Sequence, residues 1–217
     1  LWNKDWQLNI NEVIDDSLIY WKQLFPSAAF DISDLSAELM EFFRQRIISL
    51  LEEKDVAFDI IQAIAGDTTP TFKLLDDPTD VDFRSSLLMD MRSKNTLNLL
   101  QAVVTRASKL AAKSSISKDV IDPLHYVDKS LFEKDCENQM FNILEELKPL
   151  AINGDRLKYK LLADGLASSA EALSSFFDGE GSVMVMTDDM KLRNNRLNLL
   201  SILRNQSLII ADFSKLT

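Results

Sequence analysis

Glycine and proline are scarce in this chain: 5 of each in 217 residues, under half of the usual combined share of roughly 12%. That scarcity excludes collagen-like and linker-rich designs and argues against a many-turned all-β fold. A single cysteine excludes an internal disulfide and a cysteine-based zinc site. No apolar run approaches the roughly 20 residues that a membrane-spanning helix needs. The opening Leu1-Trp2-Asn3-Lys4-Asp5-Trp6 carries no signal-peptide pattern and is expected to be a cut point inside a longer chain.

Positive charge is also in deficit, 24 Lys and Arg against 34 Asp and Glu, for a net charge of −10. Taken as an average, that opposes binding to a polyanion. The average hides a segregation. Residues 1–83 hold 6 basic and 17 acidic side chains, whereas residues 84–118 hold Arg84, Arg92, Lys94, Arg106, Lys109, Lys113 and Lys118 against Asp90 alone. A second basic stretch is Lys191, Arg193, Arg196 and Arg204, with no acid from Lys191 to Ala211. Partners respond to local potential more than to net charge. The plainer reading of both stretches is solvated helix surface.

The apolar pattern is helical almost throughout. Asn9 and Glu12 form a capping box ahead of a helix through Val13, Ile14, Leu18 and Trp21, stopped by Pro26. Asp31 to Ser36 caps a second helix, and a third over Val56 to Ala65 closes on Gly66 as its C′ residue. Residues 67–79, with Pro70 and Pro78, read as a loop and as the seam between an N-terminal helical segment, 1–66, and a helical domain, 80–217. Thr79 and Asp82 are spaced to cap the next helix. From Asn95 to Lys113, Leu97, Leu100, Val104, Ala107 and Ala111 share one face, and Asn95, Asn98, Arg106, Lys109 and Lys113 fall opposite. Ser114 to Asp128 is a polar connection. Ser130 and Glu133 cap a helix ending at Pro149, Gly154 precedes another, Ser168 and Glu171 cap the next, and Asp188 and Asp189 start a last long helix. That helix is apolar on most sides, which predicts a central position. The fold class is all-α.

Catalytic chemistry has no carriers. His125 is the sole histidine, so neither a triad nor a metal cluster can be assembled around it. Cys136 falls on the apolar face of its helix and reads as a buried small hydrophobe. Asp76, Asp77, Asp80 and Asp82 lack the glycine and closing glutamate of a calcium loop. Asn205-Gln206-Ser207 matches a glycosylation sequon by chance, inside a helix.

Five C-terminal elements occur in order: Phe176-Phe177-Asp178, Val183-Met184-Val185-Met186, Asp188-Asp189, Leu192-Arg193-Asn194-Asn195-Arg196-Leu197 and Ala211-Asp212-Phe213-Ser214. Together they resemble the end of the β subunit of bacterial-type glycyl-tRNA synthetase. Leu-Arg-x-x-Arg-Leu resembles the motif that names the DALR anticodon-binding domains. Asp59-Ile60-Ile61-Gln62-Ala63-Ile64, Asp82-Phe83-Arg84 and Arg106-Ala107-Ser108 resemble that subunit upstream, so the similarity covers roughly residues 35–217. The Asp178–Val183 stretch is longer than the family pattern, Thr105 stands where a lysine is frequent, and Lys109 stands at an asparagine position.

The resemblance implies a DALR-type helical bundle with additional N-terminal helices, binding the anticodon region of glycine tRNA. ATP and magnesium would be used by the catalytic α subunit, leaving this segment with no cofactor, no metal and no catalytic residue. It implies a cytoplasmic bacterial protein, or a plastid or mitochondrial one if the parent is an organellar α–β fusion, with neither membrane nor DNA as a partner. Anticodon bases are unstacked, the form of RNA that proteins read by sequence. On this reading Arg84, Arg106, Lys109 and Lys113 meet the backbone, Arg193 and Arg196 hold phosphates or stack, and Asn95, Asn98, Asn194 and Asn195 address base edges. Phe72, Phe83 and Tyr126 are the aromatic residues nearest the basic stretches. Arg193 has a second reading, buried and holding a carbonyl near Met186. The alternative function is a protein–protein scaffold docking other synthetase domains through the acidic N-terminal helices and Trp2, Trp6 and Trp21. The RNA reading requires cations that share a flank and are not plugged by carboxylates.

Overall fold

The computed structural model describes residues 2–4, 6–27, 31–152 and 154–217; Leu1 and Asp5 of the expected cut point lie outside them. The described residues contain helices and no strand, so the chain is all-α. No helix among them is long and apolar enough to cross a membrane. Two compact units form, Leu1–Met89 with Thr217, and Asp90–Leu216.

The first unit holds α1 (Ile10–Leu24), α2 (Ile32–Glu53), α3 (Phe58–Ala65), α4 (Thr71–Asp76) and most of α5 (Pro78–Ser93). Asn9 caps α1 by accepting from the Glu12 amide, and Asp31 caps α2 by accepting from the Ser33 and Asp34 amides, both as expected. Ile14, Leu18, Leu51, Ile60, Ile64 and Leu74 supply its core. Three local expectations are corrected. The 67–79 stretch is not a continuous loop, because Thr71–Asp76 forms a helical turn that buries Leu74 and Leu75. The cap of α5 is Asp77, which accepts from the Thr79 amide at 2.9 Å, with Pro78 at the first helical position where its missing N–H costs nothing. Gly66 has φ −68°, so no left-handed cap forms. Its lack of a side chain matters for space, since a Cβ there would strike the carbonyl oxygen of Gln62. The end of α3 is satisfied instead by the buried Arg44, which donates to the carbonyls of Ala65 and Gly66 and to Thr71 Oγ1. The two units divide inside α5, ten residues beyond the end of the expected seam.

The second unit holds α6 (Leu97–Ala111), α7 (Asp135–Ala151), α8 (Leu157–Ser168), α9 (Ala170–Ser175) and α10 (Met190–Leu208). Asp189 caps α10 through the Lys191 and Leu192 amides. The helix is central: from Asn195 to Ser207 every residue but Asn198 is buried, polar ones included. Those polar residues have work inside. Asn205 Nδ2 donates to the carbonyls of Ser117 and Val120 at 2.8 and 2.7 Å, and Gln206 Nε2 to those of Ile121 and Leu144 at 2.9 and 2.8 Å. Asn195 both donates to and accepts from the Asp128 backbone. Side-chain amides of α10 thus replace secondary structure along the 112–134 connection, where buried carbonyls must find donors. Asn205, the acceptor position of the sequon, is buried.

Helix ends in this unit differ from the sequence reading. Asp128, not Ser130, caps a short 3₁₀ turn over Lys129–Leu131, and α7 begins only at Asp135. Glu137 reaches back to the amides of Glu133 and Lys134 at 2.8 and 3.0 Å. The helix carries Pro149 within its last turn. Ser168 does not cap α9; it is the last residue of α8 and donates to the Gly165 carbonyl. Cys136 is buried as expected, and burial, followed by the charge of Glu137, pushes its thiol above the ordinary value. His125 is exposed.

Candidate nucleic-acid interface

The outer face of α6 carries the exposed side chains of Asn98, Arg106 and Lys109, and Lys113 follows two residues past its end. Lys109 and Lys113 have no carboxylate partner among the described residues. Arg106 does: its Nη1 lies 2.7 Å from Asp178 Oδ1, and its guanidinium lies 4.7 Å from the Phe177 ring centroid. Both members of that pair are at least half exposed, so the carboxylate is a surface neutraliser rather than a buried anchor.

Beyond the end of α6 the 113–117 connection opens onto an α10 face, leaving an open cleft of about 540 Å³ lined by Lys113, Ser115, Ser117, Tyr126, Asn194 and Asn198 among others. The lining holds one cation and no carboxylate. Its far wall is held from behind by Asn205. Arg204, also buried, donates to the last carbonyl of α6, Ala111, at 3.2 Å and to Asn205 Oδ1 at 3.0 Å. Among the described residues it has no acidic partner, and burial lowers its pKa. It adds a cationic donor to the Ala111 carbonyl, which also accepts from the Ser114 amide at 3.0 Å, at the negative end of the α6 dipole.

The ten expected RNA contacts separate on this frame. Lys113 and Asn194 meet at the cleft; Asn98, Arg106 and Lys109 share the α6 face leading to it. Asn95 is exposed, but its residue type is explained by a backbone at φ +57°, which closes α5 in a Schellman turn with Thr96 N donating to Met91 O at 3.0 Å. Arg84 belongs to the first unit, is 9% exposed, and turns its Nε to the Asp80 carbonyl. Arg193 follows its inward reading, half-buried with Nη1 3.5 Å from the Thr187 carbonyl.

Arg196 must be withdrawn as a phosphate ligand. It is 3% exposed and spends its donors on Glu137 Oε1 at 2.9 Å, Glu133 Oε2 at 2.9 Å and the Met184 carbonyl at 3.1 Å. Burial opposes its charge, but Glu137 and Glu133 more than offset this and hold the guanidinium above its ordinary value. Asn195 is likewise consumed by Asp128. The basic stretch at 191–204 is therefore mostly internal wiring. Asn198, which the sequence reading does not single out, lines the same cleft, four residues after Asn194 and on the same helix face.

No family model matches the chain. Individual relatives do. It is 34% identical to the glycine–tRNA ligase beta subunit of Trichodesmium erythraeum over 99% of its own length and 30% of the relative's. It is 36% identical to that of Picosynechococcus over 96% of its length and 30% of the relative's. This chain is homologous to a segment of the glycine–tRNA ligase beta subunit. The beta subunit of Clostridioides difficile is 27% identical over 96% of the chain and 28% of the relative's length. The chain spans about 30% of the length of these glycine–tRNA ligase beta subunits.

Proposed function

We propose that this chain is the DALR-type anticodon-binding part of a cytoplasmic glycine–tRNA ligase, gripping the anticodon region of glycine tRNA while a catalytic α subunit joins glycine to the distant acceptor end with ATP and magnesium. The observation that carries the reading is the pair of exposed, unneutralised cations Lys109 and Lys113, on the outer side of α6 and at the mouth of a carboxylate-free cleft. Homology to the beta subunit supplies the tRNA. Cations on a firm helix supply a sequence-independent grip on phosphate, and the exposed amides of Asn98 and Asn194 add donors and acceptors for base edges.

Electrophoretic titration with glycine tRNA tests it. Affinity should fall as salt rises, and Lys109→Ala and Lys113→Ala should each flatten the log–log slope by about 0.7, the value for a single-strand phosphate. Anticodon-changed tRNA should bind more weakly. Unchanged slopes in both variants would refute the assignment of this face.

A second reading has its own observation. The first unit leaves Ile19, Trp21, Leu24, Phe25 and Phe42 about half exposed, with Trp21 and Phe25 4.7 Å apart. A chain that retains no tRNA but binds the remainder of a β subunit through these residues would be a scaffold.

A further inference from the structure

We propose that the cleft between the 113–117 connection and the Asn194–Asn198 face of α10 receives a single unstacked RNA base, laid against Tyr126 with its phosphate on Lys113. The inference rests on the tRNA-binding reading and gives that reading a one-nucleotide subsite.

The cleft, at about 540 Å³, is within the range of small-ligand sites. Tyr126 supplies the planar group that single-stranded RNA needs. The residue is 44% exposed, and its ring makes no aromatic or cation–π contact among the described residues. Its backbone, in contrast, is pinned. The Tyr126 and Val127 amides both donate to the Pro123 carbonyl, at 3.1 and 3.0 Å, and Asn198 Nδ2 grips the Tyr126 carbonyl at 2.6 Å. An exposed aromatic on a fixed mount is a stacking platform ready before its ligand arrives.

The grip on Tyr126 also orients Asn198. One Nδ2 hydrogen goes to that carbonyl, which fixes which end of the amide is nitrogen and leaves Oδ1 as an acceptor and the second N–H as a donor. The residue therefore suits a base edge that presents an N–H, an acceptor or both. Asn194, exposed and one turn earlier, is free to donate or accept. Paired bases in a duplex have their edges occupied and their faces stacked, so the ligand is an unpaired nucleotide. Lys113 is the only charged group in the lining, which places the phosphate at that end. Asn205 holds the opposite backbone through two carbonyls, so the site needs little reorganisation on binding.

The test uses the intact chain and a labelled anticodon stem-loop of glycine tRNA, read by fluorescence anisotropy across a salt series. The stem-loop is compared with versions carrying one abasic nucleotide at each loop position in turn. One position should cost about 5- to 150-fold in affinity, the range for loss of a stacked base. Tyr126→Ala should lose a similar factor and then be indifferent to that same abasic position, while Tyr126→Phe keeps the wild-type profile. Should Tyr126→Ala fail to fold, as judged by circular dichroism, the abasic scan on the wild-type chain decides alone. Salt-dependent binding with a flat abasic scan, or with a scan that Tyr126→Ala leaves unaltered, overturns the subsite and leaves the tRNA reading standing. Absence of salt-dependent binding to the stem-loop overturns the tRNA reading and the subsite with it.

Discussion

Arg196→Met separates an internal strut from an RNA ligand. In the folded chain the Arg196 guanidinium faces Glu137, whose side chain is fully buried, at 2.9 Å. Replacing the arginine leaves that carboxylate in a dry site without its cation and frees the Met184 carbonyl. Breaking a buried pair from one side costs about 3–5 kcal/mol. Cys136, next to Glu137 in the first turn of α7 and the sole cysteine of the chain, is a built-in reporter of the loss. Where opening and closing outpace labelling, the rate of thiol modification tracks the open population. The variant should then label faster by about 10² to 10³·⁵, at 1.4 kcal/mol per tenfold. Adding Glu137→Leu should recover most of the loss, because a matched apolar pair tolerates burial where a lone charge does not. About 1 kcal/mol should stay lost, since Glu137 also caps α7 through the Glu133 and Lys134 amides. A labelling rate within threefold of wild type in the single variant would refute the buried-pair reasoning. A flattened salt slope of tRNA binding in the double variant would return Arg196 to the RNA-contact list.

Asp178→Asn releases Arg106 from its neutralising carboxylate, so tRNA affinity should rise severalfold and the salt slope steepen by about 0.7; stability should change by about 1 kcal/mol or less, since the pair is half exposed. Unchanged binding would mean that Arg106 is off the RNA path. Acid should destabilise the fold in a stated window. Asp31 is held below the usual carboxylate range chiefly by Ser33, Asp122 by Lys148, and Asp128 by Ser130. Their contribution is complete above the unfolded carboxylate value of about 4 and disappears as pH falls through the depressed folded values. Urea midpoints should therefore be flat on this account from pH 7 to about 5 and fall below that, with a shallower acid limb in Asp128→Asn; identical acid limbs would count against the Ser130 hydrogen bonds as the cause.

The helices were legible because their signals are local. Asn9, Asp31 and Asp189 cap where the spacing says, and the α6 stripe of Leu97, Leu100, Val104, Ala107 and Ala111 is buried as its period requires. The failures are of two physical kinds. Short helices such as α4 have too few residues to show a period, and near a helix start several Ser, Thr and Asp residues compete for one capping role, so Asp77 and Asp128 were passed over for Thr79 and Ser130. The candidate site divides by helix. The cations of α6 are exposed because the opposite face of an amphipathic helix faces water. Cations on α10 were misjudged because a helix buried on nearly all sides has no outer face, and its Arg196, Arg204 and Asn195 turn to inward partners 59 to 93 residues away.

By itself, the sequence determined that this chain is all-helical and that positive charge concentrates along one helix. Both follow from composition and short-range periodicity. Only the tertiary structure decided which of those charges remain available. Arg106 is met by Asp178, Arg196 by Glu137 and Glu133, and Lys113 by no acidic group among the described residues. It also brought Lys113, Tyr126 and Asn198 to one cleft across 85 residues of chain. The reason is range: a helical face repeats every few residues, whereas the partner of a charge is chosen by packing between segments that no local pattern connects.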